Sequence, residues 1–536
     1  MTVDRRDFLR AAAPAALLPL LPACGGVSEQ PPAGDVFRHG VASGDPLPNA
    51  VVIWTRITPV QLGESSTVRY AVARDEAFSA VVRHGAVSTG PAVDYTVKVD
   101  VTGLEAGNTY YYAFEALGAA SPVGRTKTLP RGHVAKLRLA VASCSNYAFG
   151  FFNAYRLIAE RTDLDLVLHL GDYIYEYRNG EYGDGSALGR VPEPDHEIVT
   201  LEDYRQRHAQ YKTDPDLQAA HRLHPFITVW DDHESTNDSS RDGAENHEPD
   251  AEGDWEVRKL SAIQAYREWM PIRDRRPNDF EVVFRSFRIG DLADLIMLDT
   301  RLYGRDPQVL DPCDQAAIND PARSLLGDEQ EAWLFNELKN SAARRSRWRL
   351  LGQQVMFGQL MNILAQPVCP FNPDQWDGYA ASRARVLGLL LERNIDNVVI
   401  LTGDIHSSWG MDVSANPFSS AEYDALSGRG SLAVEFVTPG VTSPGIEDPL
   451  QAAAFAAAIR GTHPHVKFTE LNRRGYMLLD IDHERIVARW YHVAALDQRI
   501  AAETLGAELQ VRSGDNHITP VASGAVPAQT QTATAG

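Results

Sequence analysis

Five short apolar runs, at residues 137–141, 166–170, 226–230, 295–298 and 398–401, punctuate the chain. Runs of this length, rich in β-branched residues and lacking polar alternation, predict strands covered on both faces. Between them, residues 151–161, 217–223 and 330–344 carry apolar positions at helical spacing. Strand and helix in alternation predict a layered α/β core. Residues 36–130 follow a different pattern. There, runs at 51–55, 68–72, 95–101 and 110–114 are separated by Gly, Asp and Pro turns with no helical spacing, which predicts an antiparallel β-sandwich. Residues 513–536, nearly devoid of large apolar side chains, are expected to be disordered.

At 536 residues the chain exceeds one hydrophobic core, so at least two domains are expected. Residues 1–30 fit no domain. Asp4-Arg-Arg-Asp-Phe-Leu-Arg10 is a twin-arginine pattern, and the apolar stretch 11–21 that follows is shorter than the ~20 residues a spanning helix needs. Together they predict a cleavable leader read by the twin-arginine export machinery. Leu21-Pro-Ala-Cys24-Gly resembles a bacterial lipobox. Either Cys24 carries a lipid anchor, or an ordinary cleavage falls near Ala23. Both versions place the protein in the periplasm or at the cell surface.

The formal net charge of −20 argues against nucleic-acid binding through a basic surface. It leaves phosphate substrates open, because bound cations invert the local field. The acidic stretches 192–197 and 242–256 read as solvated loops.

Residue types that ligate metals stand just past the predicted strands. They are Cys144 in Val141-Ala-Ser-Cys-Ser145, Asp172 and Tyr175 in Gly171-Asp-Tyr-Ile-Tyr175, Asp231-Asp-His-Glu234, and Gly403-Asp-Ile-His406. Open α/β sheets bind ligands beyond the carboxyl ends of their strands. Carboxylates, a thiol, a phenol and imidazoles gathered there can hold two cations a few ångströms apart, a pair suited to in-line displacement at phosphorus. The expectation is a metal-dependent phosphoesterase. Asp231 competes with Asp232 as ligand, and Tyr173 and Tyr177 compete with Tyr175. His169 reads as a core histidine, and His196, His208, His221 and His224 as structural or surface groups. Arg301, at another strand end, offers a planar fork for a phosphate or one half of a salt bridge.

The motifs also occur as an ordered set. Phe37-Arg-His-Gly-Val-Ala-Ser-Gly-Asp-Pro46, Ala142-Ser-Cys-Ser145, Gly171-Asp-Tyr-Ile-Tyr-Glu176, Tyr211-Lys-Thr-Asp-Pro215, Trp230-Asp-Asp-His-Glu234, Leu298-Asp-Thr-Arg301 and Leu401-Thr-Gly-Asp-Ile-His406 resemble the alkaline phosphatase D family. The resemblance spans nearly all of the chain beyond the leader. It implies a calcineurin-like metallophosphoesterase domain over 136–512, a four-layer α/β/β/α sandwich related to that of purple acid phosphatases. Leu104-Glu-Ala-Gly-Asn-Thr-Tyr-Tyr-Tyr112 is similar to the tyrosine-corner segment of fibronectin type III domains, implying an Ig-like sandwich over 36–130.

For the chemistry, the resemblance implies hydrolysis of phosphate esters by a water activated between two metals, with Fe³⁺ paired to Ca²⁺. Carried onto this chain, Cys144, Tyr175 and His406 suit Fe³⁺. Asp232 and Asp404, with Asp172 bridging, suit Ca²⁺ by their all-oxygen character, with Zn²⁺ and Mn²⁺ as alternatives. His233 takes the place of the histidine that assists the leaving group, and Arg301 neutralises charge on the phosphoryl oxygens. A diester substrate, as in a phosphodiesterase or a phospholipase D-like enzyme, stays open beside a monoester. So does a calcium-binding surface lipoprotein without catalysis, which would have no use for Cys144, Tyr175 or His406. A monomer is expected. With Cys24 lost or lipidated and Cys144 on a metal, Cys313 and Cys369 remain and are expected to pair in an oxidising compartment.

Overall fold

The computed structural model describes residues 36–59, 62–274 and 280–521. The twin-arginine pattern, Cys24 and residues 522–536 lie outside them.

All five apolar runs are strands: Lys136–Ala142, Leu166–His169, Pro225–Thr228, Ala293–Met297 and Val398–Thr402. The first three pair side by side in parallel. The last two flank Trp348–Gly352, also in parallel. These two groups are the centres of different sheets. A ten-stranded sheet runs in the order Ile518–Pro520, Glu503–Arg512, Arg485–Val493, Gly475–Asp482, Lys136–Ala142, Leu166–His169, Pro225–Thr228, Val41–Leu47, Ala50–Arg56, Thr96–Thr102. A seven-stranded sheet runs Arg285–Ile289, Ala293–Met297, Trp348–Gly352, Val398–Thr402, Ser431–Val437, Ser408–Ser414, Val466–Glu470.

One apolar core joins the two sheets. Leu139, Val141 and Leu168 of the first share it with Leu295, Met297, Leu401 and Phe436 of the second, all fully buried. Each such side chain contributes roughly 1.5–3 kcal/mol on burial. Trp490 of the first sheet donates through Nε1 to the carbonyl of Val437 in the second, at 2.8 Å. A separate cluster holds helices Gly327–Arg344 and Ala380–Arg393 on the second sheet. In it Leu334, Leu338, Val386 and Leu390 meet Ile296, Leu351 and Ile400. Leu334 and Leu338 stand four apart, so both fall on the same face of their helix. On the first sheet, Ile158 of helix Asn153–Glu160 and Leu217 and Ala220 of helix Pro215–Leu223 enter the main core. The latter helix is started by Asp214, whose carboxylate accepts from the N–H groups of Asp216 and Leu217, with Pro215 at its first position.

The N-terminal region departs from a self-contained sandwich. Two facing sheets do share a core of Val41, Ile53, Val97, Val72, Tyr110 and Phe114. One of these sheets, however, is the end of the ten-stranded sheet, because Ser43 and Gly44 pair in parallel with Pro225 and Phe226. The free edge of Pro225–Thr228 would otherwise present unpaired backbone groups, and Val41–Leu47 satisfies them. The other sheet is antiparallel and built on Val81–Thr89, Ser66–Ala73 and Thr109–Ala116. Within it the Tyr110 hydroxyl accepts from the Glu105 N–H at 2.9 Å, the bond of a tyrosine corner.

The start of the expected disordered tail is also corrected. Residues 513–521 are ordered, and Ile518–Pro520 extends the large sheet. One apolar side chain, Ile518, is buried there, and Asp412 accepts from the Ile518 N–H at 2.8 Å and contacts the His517 ring at 2.7 Å. Cys313 and Cys369 form a disulfide, leaving Cys144 as the buried free cysteine among the described residues. Among the described residues no helix is long and apolar enough to cross a membrane.

Candidate metal centre

The motifs that follow both sets of parallel strands converge in one largely buried cluster, called the cleft below. Returning their side chains to the cleft requires sharp turns. Cys144, Asp172, Asp404 and His406 all adopt left-handed backbone, with φ of 59°, 55°, 61° and 53°, at a cost of roughly 1–3 kcal/mol each. Gly171 makes the closest approach. Its φ is 104°, and a Cβ there would lie 2.5 Å from the backbone nitrogen of Asp231, so only glycine lets these two strand ends touch.

The ligand-type residues fall into two lobes. In the first, donor atoms of Cys144, Asp172 and His406 lie within 4.8 Å of one another. Tyr175 closes this lobe. Its hydroxyl donates to Asp172 Oδ2 at 2.9 Å, stands 3.1 Å from His406 Nε2 and accepts from Ser443 Oγ at 2.6 Å. His406 Nδ1 lies 2.8 Å from the carbonyl of Pro444, which leaves Nε2 turned to the cluster. In the second lobe Asp231, Asp232 and Asp404 converge within the same limit, and Asp172, Asp232 and His233 form a third such group that links the two. Asp172 and Asp232 are the two residues through which this third group touches the first and second lobes. Of the three tyrosines in the run, Tyr173 reaches His221 instead, at 2.8 Å, and Tyr177 packs against Tyr182 and His233. His169 binds the Tyr155 hydroxyl at 2.8 Å within the core.

Two buried carboxylate oxygens among these residues, Asp172 Oδ1 and Asp231 Oδ2, accept no hydrogen bond, and Asp232 Oδ1 accepts none either but faces Arg301 Nη2 at 3.5 Å. An acceptor of this kind is expensive to bury unless a cation answers it. A thiol, phenol and imidazole in one lobe and carboxylates in the other form donor sets that fit two different cations. Burial, with Asp172 beside it, pushes the Cys144 thiol well above its ordinary range, and does the same to the Tyr175 hydroxyl. Without a cation these two groups stay protonated. Burial likewise raises the carboxyls of Asp231 and Asp404, which Arg301 only partly offsets. Asp232 is held below the usual range despite its burial, by Arg301 and His233.

His233 is set by Glu176, whose Oε2 lies 2.8 Å from Nδ1, and its ring stacks on Tyr175 at 4.3 Å. Burial disfavours the imidazolium, but Glu176 and Asp232 outweigh it and raise the pKa well above the ordinary value. Arg301 is placed differently from a fork turned toward phosphate. It is fully buried, with Nε donating to Asp231 at 2.5 Å, Nη1 to both oxygens of Asp374 at 2.8 and 2.9 Å, and Nη2 to Asp404 at 2.7 Å.

Several supports escaped the sequence. Asp374 comes from a loop without a motif and also pairs with Arg305. Glu234 ties two strand ends together by accepting from the N–H groups of Asp172, Tyr173 and Asp231 at 3.0, 2.7 and 2.7 Å. Glu176 and Glu234 do stand inside quoted motifs, and a carboxylate close in sequence to a ligand is the signal the sequence holds for both. Nothing marked Tyr182, whose hydroxyl is 3.3 Å from His406 Nδ1.

A two-sheet α/β core with ligand-type residues gathered at its strand ends is the setting, and the comparisons with known proteins give the class, a hydrolase of phosphoric esters, and the family. The family model of the PhoD-like phosphatases matches residues 139–490, and that of the PhoD-like phosphatase N-terminal domain matches residues 23–130. Alkaline phosphatase D of Bacillus subtilis (strain 168) is 39% identical over 456 residues, covering 82% of this chain and 75% of that protein. A solved structure described as "Structure of PhoD" aligns with a TM-score of 0.82 at 34% identity, covering 94% of this chain and 95% of that one. The chain belongs to the PhoD-like phosphatase family.

Proposed function

We propose that this phosphoesterase is exported and works with two cations, one in each lobe of the cleft. Cys144, Tyr175 and His406 would hold Fe³⁺, and Asp232 and Asp404 would hold Ca²⁺, with Asp172 shared. Zn²⁺ and Mn²⁺ are the alternatives for the carboxylate lobe. Bound there, the pair would supply Lewis acidity and charge neutralisation at the phosphoryl group. His233, its Nδ1 committed to Glu176, presents Nε2 as hydrogen-bond donor to the leaving oxygen. Arg301 holds Asp231, Asp374 and Asp404 in place and offsets their mutual repulsion, acting on the ligands and not on the substrate.

The observation that carries this reading is the pair of buried carboxylate oxygens without a partner, Asp172 Oδ1 and Asp231 Oδ2, beside a buried thiol. Chelation should abolish hydrolysis of a chromogenic phosphate monoester, and iron with calcium should restore it. Full activity in metal-stripped protein contradicts the reading. Rates on the matching bis-ester decide between monoester and diester preference.

The two sheets with helices on their outer sides are read as the four-layer α/β/β/α sandwich, supported by the two separate apolar clusters. The N-terminal sheets are read as fibronectin type III-like, supported by the Tyr110 bond. Export by the twin-arginine route, with Cys24 as candidate lipid anchor, draws support from the Cys313–Cys369 disulfide, which suits an oxidising compartment. Changing Arg5 and Arg6 to lysine should keep the protein in the cytoplasm, and unchanged export would reject the route.

A further inference from the structure

The catalytic motifs occupy the carboxyl ends of the central strands. At the amino ends, three segments bring two imidazoles and a carboxylate together. His133 precedes Lys136–Ala142 in the connection from the N-terminal sheets. Asp291 lies in the turn that enters Ala293–Met297. His483 lies in the turn between Gly475–Asp482 and Arg485–Val493, where Asp482 pairs with Lys136.

His133 Nδ1 is 3.0 Å from Asp291 Oδ2, and His483 Nε2 is 3.5 Å from Asp291 Oδ1. The two rings face each other at 5.0 Å with 19° between their planes. One donor atom from each residue falls within 4.8 Å of the others. The frame beneath them is fixed by backbone. Asp291 Oδ1 accepts from the Val134 N–H at 3.0 Å, and the Asp291 N–H donates to the carbonyl of Gly132 at 2.9 Å. The carboxylate is thereby locked to the segment that carries His133. Two imidazoles from segments 350 positions apart in sequence thus stand around one carboxylate, and His483 Nε2 also lies 3.1 Å from the Val134 carbonyl, a contact it would exchange for the ion.

We propose that His133, Asp291 and His483 form a second, non-catalytic metal site that takes Zn²⁺. Two nitrogen donors and one carboxylate oxygen select zinc over calcium. Three protein ligands leave a fourth position to water, in keeping with the exposure of the site. The His133 side chain is 71% exposed, so its ring can rotate to close the distance to ~2.1 Å from the ion. The ion would clamp the connection between the N-terminal sheets and the catalytic core to one turn from each large sheet.

Zinc titration of the full-length protein tests this, with metal counted after dialysis. Wild type is expected to bind one zinc ion more than the His133→Ala/His483→Ala variant. The same difference is expected in an Asp172→Asn background, where the catalytic cleft is impaired, so failure of the two-cation reading leaves this result intact. Co²⁺ in place of zinc, added in the Asp172→Asn background, should give the protein with His133 and His483 a visible absorption that the double variant in the same background lacks. His133→Gln, which alters an exposed side chain and spares the fold, should also lose one equivalent. Equal zinc binding in wild type and both variants, with equal cobalt spectra in the Asp172→Asn background, would overturn the proposal.

Discussion

Replacing Arg301 with methionine separates two roles for this guanidinium. In the structure every arm meets a carboxylate, with buried Asp231 and Asp374 and partly buried Asp404 at 2.5–2.9 Å and Asp232 at 3.5 Å. Methionine fills part of the same space but leaves those carboxylates without their shared cation. Removing one partner of a buried pair costs about 3–5 kcal/mol, a large part of the stability of most domains. The cost should be greatest in chelator, where the carboxylates have no other counter-charge, and smaller once cations are supplied. Urea unfolding followed by tryptophan fluorescence, with and without chelator, reads both quantities as midpoints. Chelated Arg301→Met should unfold at clearly lower urea than chelated wild type, and added metal should narrow the gap. Arg301→Lys should fall between, because it keeps the charge and loses the fork. An Arg301→Met protein with an unchanged midpoint and abolished activity would refute this argument and return Arg301 to the substrate.

Three further outcomes are expected. Glu176→Gln weakens the partner that orients His233 and should lower kcat by about 10–100-fold with unchanged metal content, as read by steady-state kinetics and elemental analysis. Gly44→Ala would put a Cβ 2.3 Å from the Pro271 carbonyl and 2.7 Å from that of Phe226. It should therefore cost about 1–3 kcal/mol and lower the thermal midpoint, because it pushes the N-terminal strands off the large sheet. Asp404→His exchanges a hard ligand for an imidazole and should shift metal-restored activity from Ca²⁺ toward Zn²⁺ or Mn²⁺, seen on re-addition of single metals after chelation.

The strands were readable because both of their faces are covered, which leaves continuous apolar runs. Which sheet each run joins was not readable. Residues 226–230 and 295–298 look alike in sequence, yet Pro225–Thr228 and Ala293–Met297 sit in different sheets. Hydrophobic pattern reports burial and not partner, which is also why the pairing of Val41–Leu47 with Pro225–Thr228 went unseen. Ile518 shows the same limit, since one apolar side chain among polar neighbours carries no periodicity. In the cleft, Cys144, Asp172, Asp232 and Asp404 stood out because they follow strands. Asp374 did not, because it arrives on a loop ahead of the short helix Trp376–Tyr379. The engagement of Arg301 is a property of four carboxylates from three separate segments, and only the fold brings them together.

The measurement that bears most directly on the two-lobe centre is elemental analysis of the purified, exported protein beside its Asp172→Asn variant, with activity assayed on the same samples. Asp172 is the ligand proposed to be shared, since it groups with Cys144 and His406 on one side and with Asp232 and His233 on the other. The account predicts two bound cations in the catalytic cleft of wild type, one of them iron, and loss of both together with activity in the variant. Full activity in protein free of metal, or an Asp172→Asn variant that keeps both its metals and its rate, would contradict it.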